Sequence, residues 1–403
     1  MVNKKPLRIL GMLSSLWRNH SYIFVFIVLL VIYAITIQTS GKRFSPGHIS
    51  AILSSQNTVI VGTMAIGMAL VIITGQIDLS VGSAMVLTTG ITISVFNMTG
   101  SIILTILTAL AAGAFLGAIN GVLVAYAKMP PFIVTLGTML IFRSLALWAV
   151  RLIPPSITGS SSSQFAFDSK LAGTDWLRMK FGTGSIKLGS FDIPYVTVLF
   201  LVILILFVFI ATSTKFGKSV YAVGSNAKAT GLAGVSVQRI KMSVFIVTGA
   251  LVGVASLIQA CKVGNVTPAS SGRSYEMYAI AAVVLGGIAM AGGRGNMLGV
   301  LFGALSYATV VFIIVSIPGL GADIQDTFQG LVLILVILVQ TAGPGIRERF
   351  RRRRAVSGNA PSADSESVTA ADAAAAAGTG SAAAPSPAPV TGVARWFVSQ
   401  KEQ

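Results

Sequence analysis

The chain has 403 residues, of which 54% are hydrophobic and only 10% are charged. This composition excludes a soluble globular protein and indicates that lipid is the main solvent. The formal net charge of +17 does not predict a nucleic-acid partner, because the lysines and arginines lie mainly at the ends of apolar segments, where they orient a chain in a bilayer. A single cysteine, Cys261, excludes an internal disulfide.

Apolar segments of membrane-spanning length recur along the chain and predict an all-α, polytopic membrane protein with about ten transmembrane helices. The first segment follows a basic start and could pass for a signal peptide, but no convincing small-x-small cleavage site flanks it, so we interpret it as an uncleaved span. The predicted spans are residues 22–37, 49–74, 79–97, 101–127, 131–151, 194–212, 240–261, 277–291, 297–317 and 324–341.

The distribution of basic residues predicts that both termini are cytoplasmic. With the N-terminus inside, the inner segments carry the majority of the lysines and arginines, and several of those outside fall in one long loop, where the rule counts least. We therefore expect a cytoplasmic N-terminus over 1–20, a membrane domain over 21–342, and a basic stop segment with a disordered cytoplasmic tail over 343–403. The tail is rich in Ala, Ser, Pro and Gly, which cannot bury enough apolar surface to fold.

Small residues spaced four apart predict three helix-packing faces. In lipid this spacing lets two helix backbones approach closely. The faces are Gly113/Gly117/Gly121, Gly249/Gly253 and Gly299/Gly303. A weak internal repeat is also visible, because Gly75 and Gly82 bracket one polar turn and Gly292 and Gly299 bracket another at the same spacing. Both turns fall on the inner side, so the halves would be parallel repeats.

The most polar interruption between spans is the stretch TGQIDLSVGS at 74–83. Asp78 has two interpretations there. It can cap the next helix by accepting from the backbone N–H of Ser80 or Val81, or it can deliver a polar group to a translocation path.

Two stretches are too polar to span a membrane. The outer loop over 152–193 is rich in serine and glycine. The inner loop over 213–239 contains Asn226, a good helix N-cap, then short helical turns over 227–233, and Gly234, which can end them. We expect a short amphiphilic helix along the inner face.

Residue patterns for bound cofactors and for catalysis are missing from the spans. The stretch 216–219 resembles the end of a phosphate-binding loop, but it follows a membrane helix and lacks the first glycine. His20 and His48 have no ligand-spaced companions, so we predict no metal site. The spans carry no pair of carboxylates and no Ser/His/Asp or Cys/His set, so we predict no enzymatic activity. A proton-coupled pump would place acidic or histidine side chains within its helices, so any transport is expected to draw its energy from elsewhere.

Four separated motifs, in order, resemble the ribose/xylose-type permeases of bacterial ABC sugar importers over about residues 20–342. The motifs are TGQIDLSVGS at 74–83, PFIVTLGTM at 131–139 with Phe142 and Arg143, GSN at 224–226 with Ala229, Gly231 and Gly234, and VLGG at 284–287 with GGRG at 292–295. The outer loop over 152–193 is longer than this family leads us to expect, and the tail after Arg354 has no counterpart in it.

The resemblance implies a permease subunit in the bacterial cytoplasmic membrane that moves a monosaccharide. It also implies a second permease subunit, an external sugar-binding protein, and cytoplasmic ABC ATPase subunits that hold ATP and magnesium, so that this chain itself carries no cofactor. The residues expected to dock the ATPase are Asn226, Ala227, Lys228, Ala229, Gly231 and Gly234. Ribose, xylose, fructose and galactose all remain open as substrates.

The substrate path is expected to include Gln56, Asn57, Asp78 and Arg143. Arg143 lies inside an apolar span, where a charge costs about 2.5–3.5 kcal/mol. It either snorkels or pairs with helix-end carbonyls, or it faces a central cavity together with Gln56 and Asn57. The alternative functions are a branched-chain amino-acid-type ABC permease, a secondary ion-coupled sugar transporter, and a membrane scaffold or receptor.

Overall fold

The computed structural model describes residues 21–317, except 161, 162 and 190, and a few isolated positions between 324 and 338. The predicted N-terminal segment 1–20, most of the predicted span over 324–341, and the predicted tail over 343–403 lie outside the described residues. The long helices are α1 Ser21–Thr39, α4 Val81–Thr99, α5 Ile102–Ala125, α6 Pro131–Leu152, α9 Tyr195–Ser213, α11 Val237–Val263 and α13 Gly299–Ser316. The other helices, most of them shorter, are α2 Pro46–Ser54, α3 Gly62–Ile73, α7 Pro155–Thr158, α8 Ala172–Asp175, α10 Lys215–Leu232 and α12 Tyr275–Leu285.

The described residues form a helical membrane protein, as predicted. Seven helices are long and apolar enough to cross a bilayer, and the bent pair α2 and α3 makes up to eight within that part of the chain. The helix predicted over 277–291 is shorter than expected, because α12 ends at Leu285 where Gly287 takes φ +81°. The total of ten spans and the orientation of the termini stay predictions.

The second predicted span is broken. Helices α2 and α3 meet at an angle of 47°, with π-helical turns over Asn57–Val61 between them. Ser55 leaves the helical region with ψ 152°, and the Thr58 hydroxyl donates to the Ile52 carbonyl oxygen at 2.6 Å. The break therefore places two polar residues, Gln56 and Asn57, between the two apolar helices of the bent pair.

Helix α3 is the centre of the membrane domain. Every residue from Gly62 to Ile73 is buried, as expected of a helix that is apolar all round. Helices α4, α11 and α13 are also mostly buried, whereas α1, α5, α6 and α9 expose most of their surface. The exposed helices form an apolar periphery suited to lipid.

The three predicted glycine faces are confirmed as packing faces. Helices α5 and α11 approach so closely that a Cβ on Gly113 or Gly117 would collide with backbone atoms of Gly249 or Phe245. Gly303 lies in the same way against the Ala282 carbonyl, which joins α12 to α13. Small side chains thus let these helix pairs pack backbone to backbone.

The outer loop predicted over 152–193 is a folded segment. It holds α7, α8, π-helical turns over Trp176–Gly182, and three strands, β1 Phe165–Ala166, β2 Ser185–Leu188 and β3 Phe191–Pro194. Strand β1 pairs antiparallel with β4, Asn265–Val266, and β2 pairs with β3. Two small sheets therefore accompany an otherwise helical fold.

Asn97, near the end of α4, fastens this outer segment to the membrane domain. Its amide nitrogen donates to the carbonyl oxygens of Ile157 at 2.8 Å and Ala166 at 2.9 Å. Its amide oxygen accepts from the backbone N–H of Asp168 at 2.9 Å. One side chain thus bonds three points of the outer segment.

Candidate functional site: a cavity, a glycine junction and an exposed short helix

A cavity of about 630 Å³ lies among the second span, α11, α12 and α13, at the ends that the predicted topology places outside, and we call it the outer cavity. Its volume is in the range of small-molecule sites. The lining includes Gln56 and Asn57, the two residues that the sequence placed on a substrate path. The further lining residues are Ser55, Gln259, Val263, Ser270, Ser271, Gly272, Arg273, Tyr275, Tyr278, Val311, Phe312 and Val315.

Gln259 is a cavity residue that sequence reasoning missed. It is only 4% exposed, and its Nε2 donates to the Asn265 carbonyl oxygen at 3.4 Å. Because a carbonyl oxygen only accepts, the side-chain atom that contacts it must be the amide nitrogen, and the remaining amide atom is the acceptor Oε1. Among the described residues, Oε1 has no hydrogen-bond partner. An unpaired buried acceptor costs about 1–3 kcal/mol, which favours a donor supplied by a ligand or water.

Arg143 does not line the cavity but lies behind one of its walls. Its guanidinium donates to the carbonyl oxygens of Ser271 at 2.6 Å, Pro268 at 2.9 Å and Gly272 at 3.2 Å. Of the two interpretations of Arg143, this geometry matches pairing with carbonyls. Whether the residue also contributes to the substrate path stays a prediction.

Asp78 lies away from the cavity and is buried. Its Oδ1 accepts from the Ser80 backbone N–H at 2.8 Å and from the Ser80 hydroxyl at 2.7 Å. The predicted hydrogen bond to the Ser80 N–H is confirmed, but the N-cap of α4 is Ser80, so Asp78 lies before the cap and does not itself cap the helix. Asn120 on α5 donates to the same hydroxyl at 2.8 Å, so Asp78 shares a buried polar cluster with two neighbours. A role of Asp78 in the path stays a prediction.

The two glycine-bracketed turns contact each other on the side that the predicted topology places inside. We call this region the inner junction, and its residues are Ile73, Tyr221, Gly224, Ser225, Gly292, Gly293 and Gly295. Gly293 N–H donates to the Ile73 carbonyl at 2.8 Å, which links the end of α3 to the turn after α12. Contact between the turns agrees with their placement on one side of the membrane. The parallel repeat itself stays a prediction.

Helix α10 packs against the inner junction through hydrogen bonds and one close backbone contact. The Tyr221 hydroxyl donates to the Gly295 carbonyl at 3.0 Å, and the Ser225 hydroxyl donates to the Gly293 carbonyl at 3.3 Å. Burial raises the pKa of the Tyr221 phenol, which keeps it protonated as the donor. Gly224 lies so close that a Cβ would collide with the Ile73 carbonyl oxygen. Movement of α10 would therefore act directly on the inner ends of α3 and of the turn after α12.

The second half of α10 is a separate short helix. The backbone kinks at Asn226, with φ −162° and ψ 94°, and Asn226 Oδ1 accepts from the Ala229 N–H at 2.9 Å. Gly234 follows the helix with φ +85°. The predicted N-cap and the predicted glycine stop are confirmed.

This short helix presents an exposed surface. Asn226, Lys228, Ala229, Gly231 and Gly234 are exposed, and Ala227 is half-buried. Leu232 is 84% exposed. Leu232 is thus an exposed apolar side chain on a short helix whose other exposed residues are small or polar.

Comparison with known proteins identifies the family. Residues 50–337 match the family described as branched-chain amino acid transport system / permease component. The ribose import permease protein RbsC of Escherichia coli strain K12 is 34% identical over 313 residues, which cover 78% of this chain and 91% of the relative.

Two further relatives are similar. The xylose transport system permease protein XylH of Escherichia coli strain K12 is 34% identical over 332 residues, covering 71% of this chain and 84% of the relative. The fructose import permease protein FrcC of Rhizobium meliloti is 33% identical over 314 residues, covering 78% and 82%. No solved structure matches the chain. The chain therefore belongs to the permease family of bacterial ABC importers, on its sugar-importer side, and is a multi-pass protein of the bacterial inner membrane.

Proposed function

We propose that this chain is the membrane-spanning subunit of an ATP-driven importer and that it moves a pentose or hexose through the outer cavity. The observation that carries the proposal is the cavity, where the break in the second span brings Gln56 and Asn57 together with Gln259. Amide and hydroxyl groups can exchange hydrogen bonds with sugar hydroxyls without binding them tightly. Weak contact suits a path, since a tightly held sugar would not be released.

The charge of the cavity favours a neutral substrate. Among its described lining residues, Arg273 is the one charged side chain and no carboxylate is present. An amino acid carries a carboxylate, with which Arg273 can pair, and an ammonium group, which finds no anionic partner among the described lining residues. The branched-chain amino acid alternative is favoured by the description of the matching family, but the cavity supports it less well than a sugar.

The energy for transport is assigned to partner subunits. We infer that cytoplasmic ABC ATPases bind ATP and magnesium and seat the short helix that begins at Asn226 in a groove. The exposed Leu232 and the kink at Asn226 support this inference, because they set a rigid exposed helix apart from the membrane domain. An external sugar-binding protein and a second permease subunit complete the importer, by analogy with relatives named as import permeases.

Labelled uptake tests the proposal. Cells that express this chain with its ATPase and binding protein would be given D-ribose, D-xylose, D-fructose or L-leucine, each radiolabelled. We expect ATP-dependent accumulation of at least one monosaccharide and none of leucine.

The matched control is the same importer with a hydrolysis-deficient ATPase subunit. Uptake that continues in this control while the ion gradient is intact would indicate a secondary transporter. Accumulation of leucine and of no sugar would indicate the amino-acid function.

A further inference from the structure

One wall of the cavity is a tight turn between β4 and α12, residues 267–274. Ser270, Ser271 and Arg273 line the cavity, and Ser270 and Arg273 are exposed. The turn has its own bonding, because Ser271 N–H donates to the Thr267 carbonyl at 2.8 Å and the Ser271 hydroxyl accepts from Thr267 N–H at 3.1 Å. We call residues 267–274 the wall turn.

Arg143 supports the wall turn from the side opposite the cavity. The three carbonyl oxygens that it contacts, at 2.6, 2.9 and 3.2 Å, all belong to this turn. Arginine is suited to this task because its planar guanidinium offers several donors in a fixed arrangement. A charge inside an apolar span is costly, so it is retained where its contacts are specific.

A second contact holds the same turn from α4. A Cβ on Gly82 would lie 2.5 Å from Glu276 Oε2 and 2.7 Å from the Gly272 carbonyl oxygen. Only glycine at this position leaves room for the wall turn and the first residues of α12. The last glycine of the sequence motif at 74–83, Gly82, thus packs against the wall turn.

We propose that Arg143 is a positioning residue that fixes the wall turn, and through it Ser270, Ser271 and Arg273, in the geometry that contacts the substrate. The proposal rests on the proposed function for the identity of that substrate. Without the guanidinium, three backbone carbonyls lose their donors and the turn is free to shift relative to Gln56 and Asn57 across the cavity. Arg143 acts on the sugar through the turn.

A reporter thiol in the wall turn tests the proposal. Ser270→Cys places an exposed cysteine at the cavity, while the native Cys261 is 2% exposed and contributes little background labelling. The full-length chain in lipid nanodiscs is treated with a membrane-impermeant maleimide, with and without a concentration of D-ribose, D-xylose or D-fructose high enough to saturate a weak site. The labelling rate of the introduced thiol is measured with Arg143 intact and in Arg143→Met and Arg143→Lys.

Arg151→Met is the matched control, because Arg151 is an exposed arginine on the same helix, two turns further on. We expect the transported sugar to slow labelling by about fivefold when Arg143 is intact or when Arg151 is changed. In Arg143→Met the labelling rate without sugar changes and the protection is lost. Arg143→Lys, which keeps the charge without the fork of donors, gives an intermediate result.

The outcomes separate the two proposals. Equal labelling and equal protection in Arg143→Met and in the intact chain would overturn the role of Arg143. Protection by none of the sugars in the intact chain would count against the proposed function, while the labelling rate without sugar still tests Arg143. If Arg143→Met does not fold, as judged by thermal unfolding, Arg143→Lys decides: labelling identical to that of the intact chain overturns the role.

Discussion

The outer cavity and the inner junction are built from different chemistry. The cavity is bounded by polar side chains on a broken helix and a turn and by apolar side chains of α11 and α13, and one buried acceptor, Gln259 Oε1, has no partner among the described residues. The inner junction is formed mainly by backbone, with glycines packed against carbonyls and amides, and the hydroxyls of Tyr221 and Ser225 donate to backbone carbonyls there. The side chains of the outer cavity can change conformation around a ligand. The tightly packed backbone of the inner junction leaves no free space, so a movement of one element there displaces its neighbours.

The same elements connect the two regions. Helix α3 runs from the inner junction at Ile73 up to the π-helical turns that follow Gln56. Helix α12 runs from Tyr275, a cavity residue, to Leu285, just before the turn that contains Gly293. Any shift of α10 is therefore expected to reach both sides of the cavity as a movement of whole helices.

The largest expected effect is that of Gly224→Ala. The added Cβ would overlap the Ile73 carbonyl oxygen and lie 2.7 Å from Gly293 N, so the inner junction has to open. Overpacking of this kind costs about 1–3 kcal/mol. We expect sugar uptake and stimulated ATP hydrolysis to be lost together, measured in the assembled importer.

Gly137→Ala is the matched control, because its Cβ would meet no heavy atom within 4 Å. Normal uptake by Gly224→Ala would show that the inner junction can accommodate an added methyl group. The junction would then be as adaptable as the cavity.

The second prediction concerns the docking surface. In Gly231→Leu the new Cβ would meet only Val237 Cγ2, at 3.8 Å, so the fold of this chain is not disturbed. We expect unchanged thermal stability and a loss of ATPase affinity of at least about tenfold, since bulky groups at the centre of an interface prevent close contact. Gly231→Ala is the milder control. Unchanged ATPase binding by Gly231→Leu would place the partner elsewhere.

A smaller effect is expected in the cavity. Gln259→Met keeps the length of the side chain and removes the unpaired acceptor. We expect uptake of the transported sugar to fall by about three- to tenfold, the size of one hydrogen bond, while thermal stability stays equal or rises. Gln38→Met, at an exposed glutamine near the end of α1, is the control. Uptake equal to that of the intact chain would mean that the sugar does not use Gln259.

The smallest expected effect is that of Tyr221→Phe, which removes one hydrogen bond to the Gly295 carbonyl. Thermal unfolding should show a loss of about 0.5–1.5 kcal/mol. Burial raises the pKa of Tyr221 in the folded chain. The stabilisation by this hydroxyl is therefore complete below the ordinary tyrosine pKa, near 10, and is lost only as the pH rises through the higher folded value. If the unchanged chain and Tyr221→Phe had the same free energy of unfolding at neutral pH, the stabilising role of the Tyr221 hydroxyl would be contradicted.

Local features could be predicted from the sequence because they depend on near neighbours in the chain. The spacing of Gly113 and Gly117, the cap at Asn226 and the polar pair Gln56 and Asn57 all have short-range signals. Gln259 had no short-range signal, because a single amide in an apolar helix forms no pattern with its neighbours in the sequence. The partners of Arg143 lie at least 125 residues away in sequence, a separation that no periodicity reports.

The three hydrogen bonds of Asn97 have a consequence for encounters at the outer face. They fix Ile157, Ala166 and Asp168 of the outer segment before any partner arrives. Ordering a mobile loop on association costs conformational entropy, and a surface that is already ordered avoids that cost. A soluble protein that binds there would contact a preordered surface. Its association rate constant would therefore depend on orientation and charge and not on the folding of a loop.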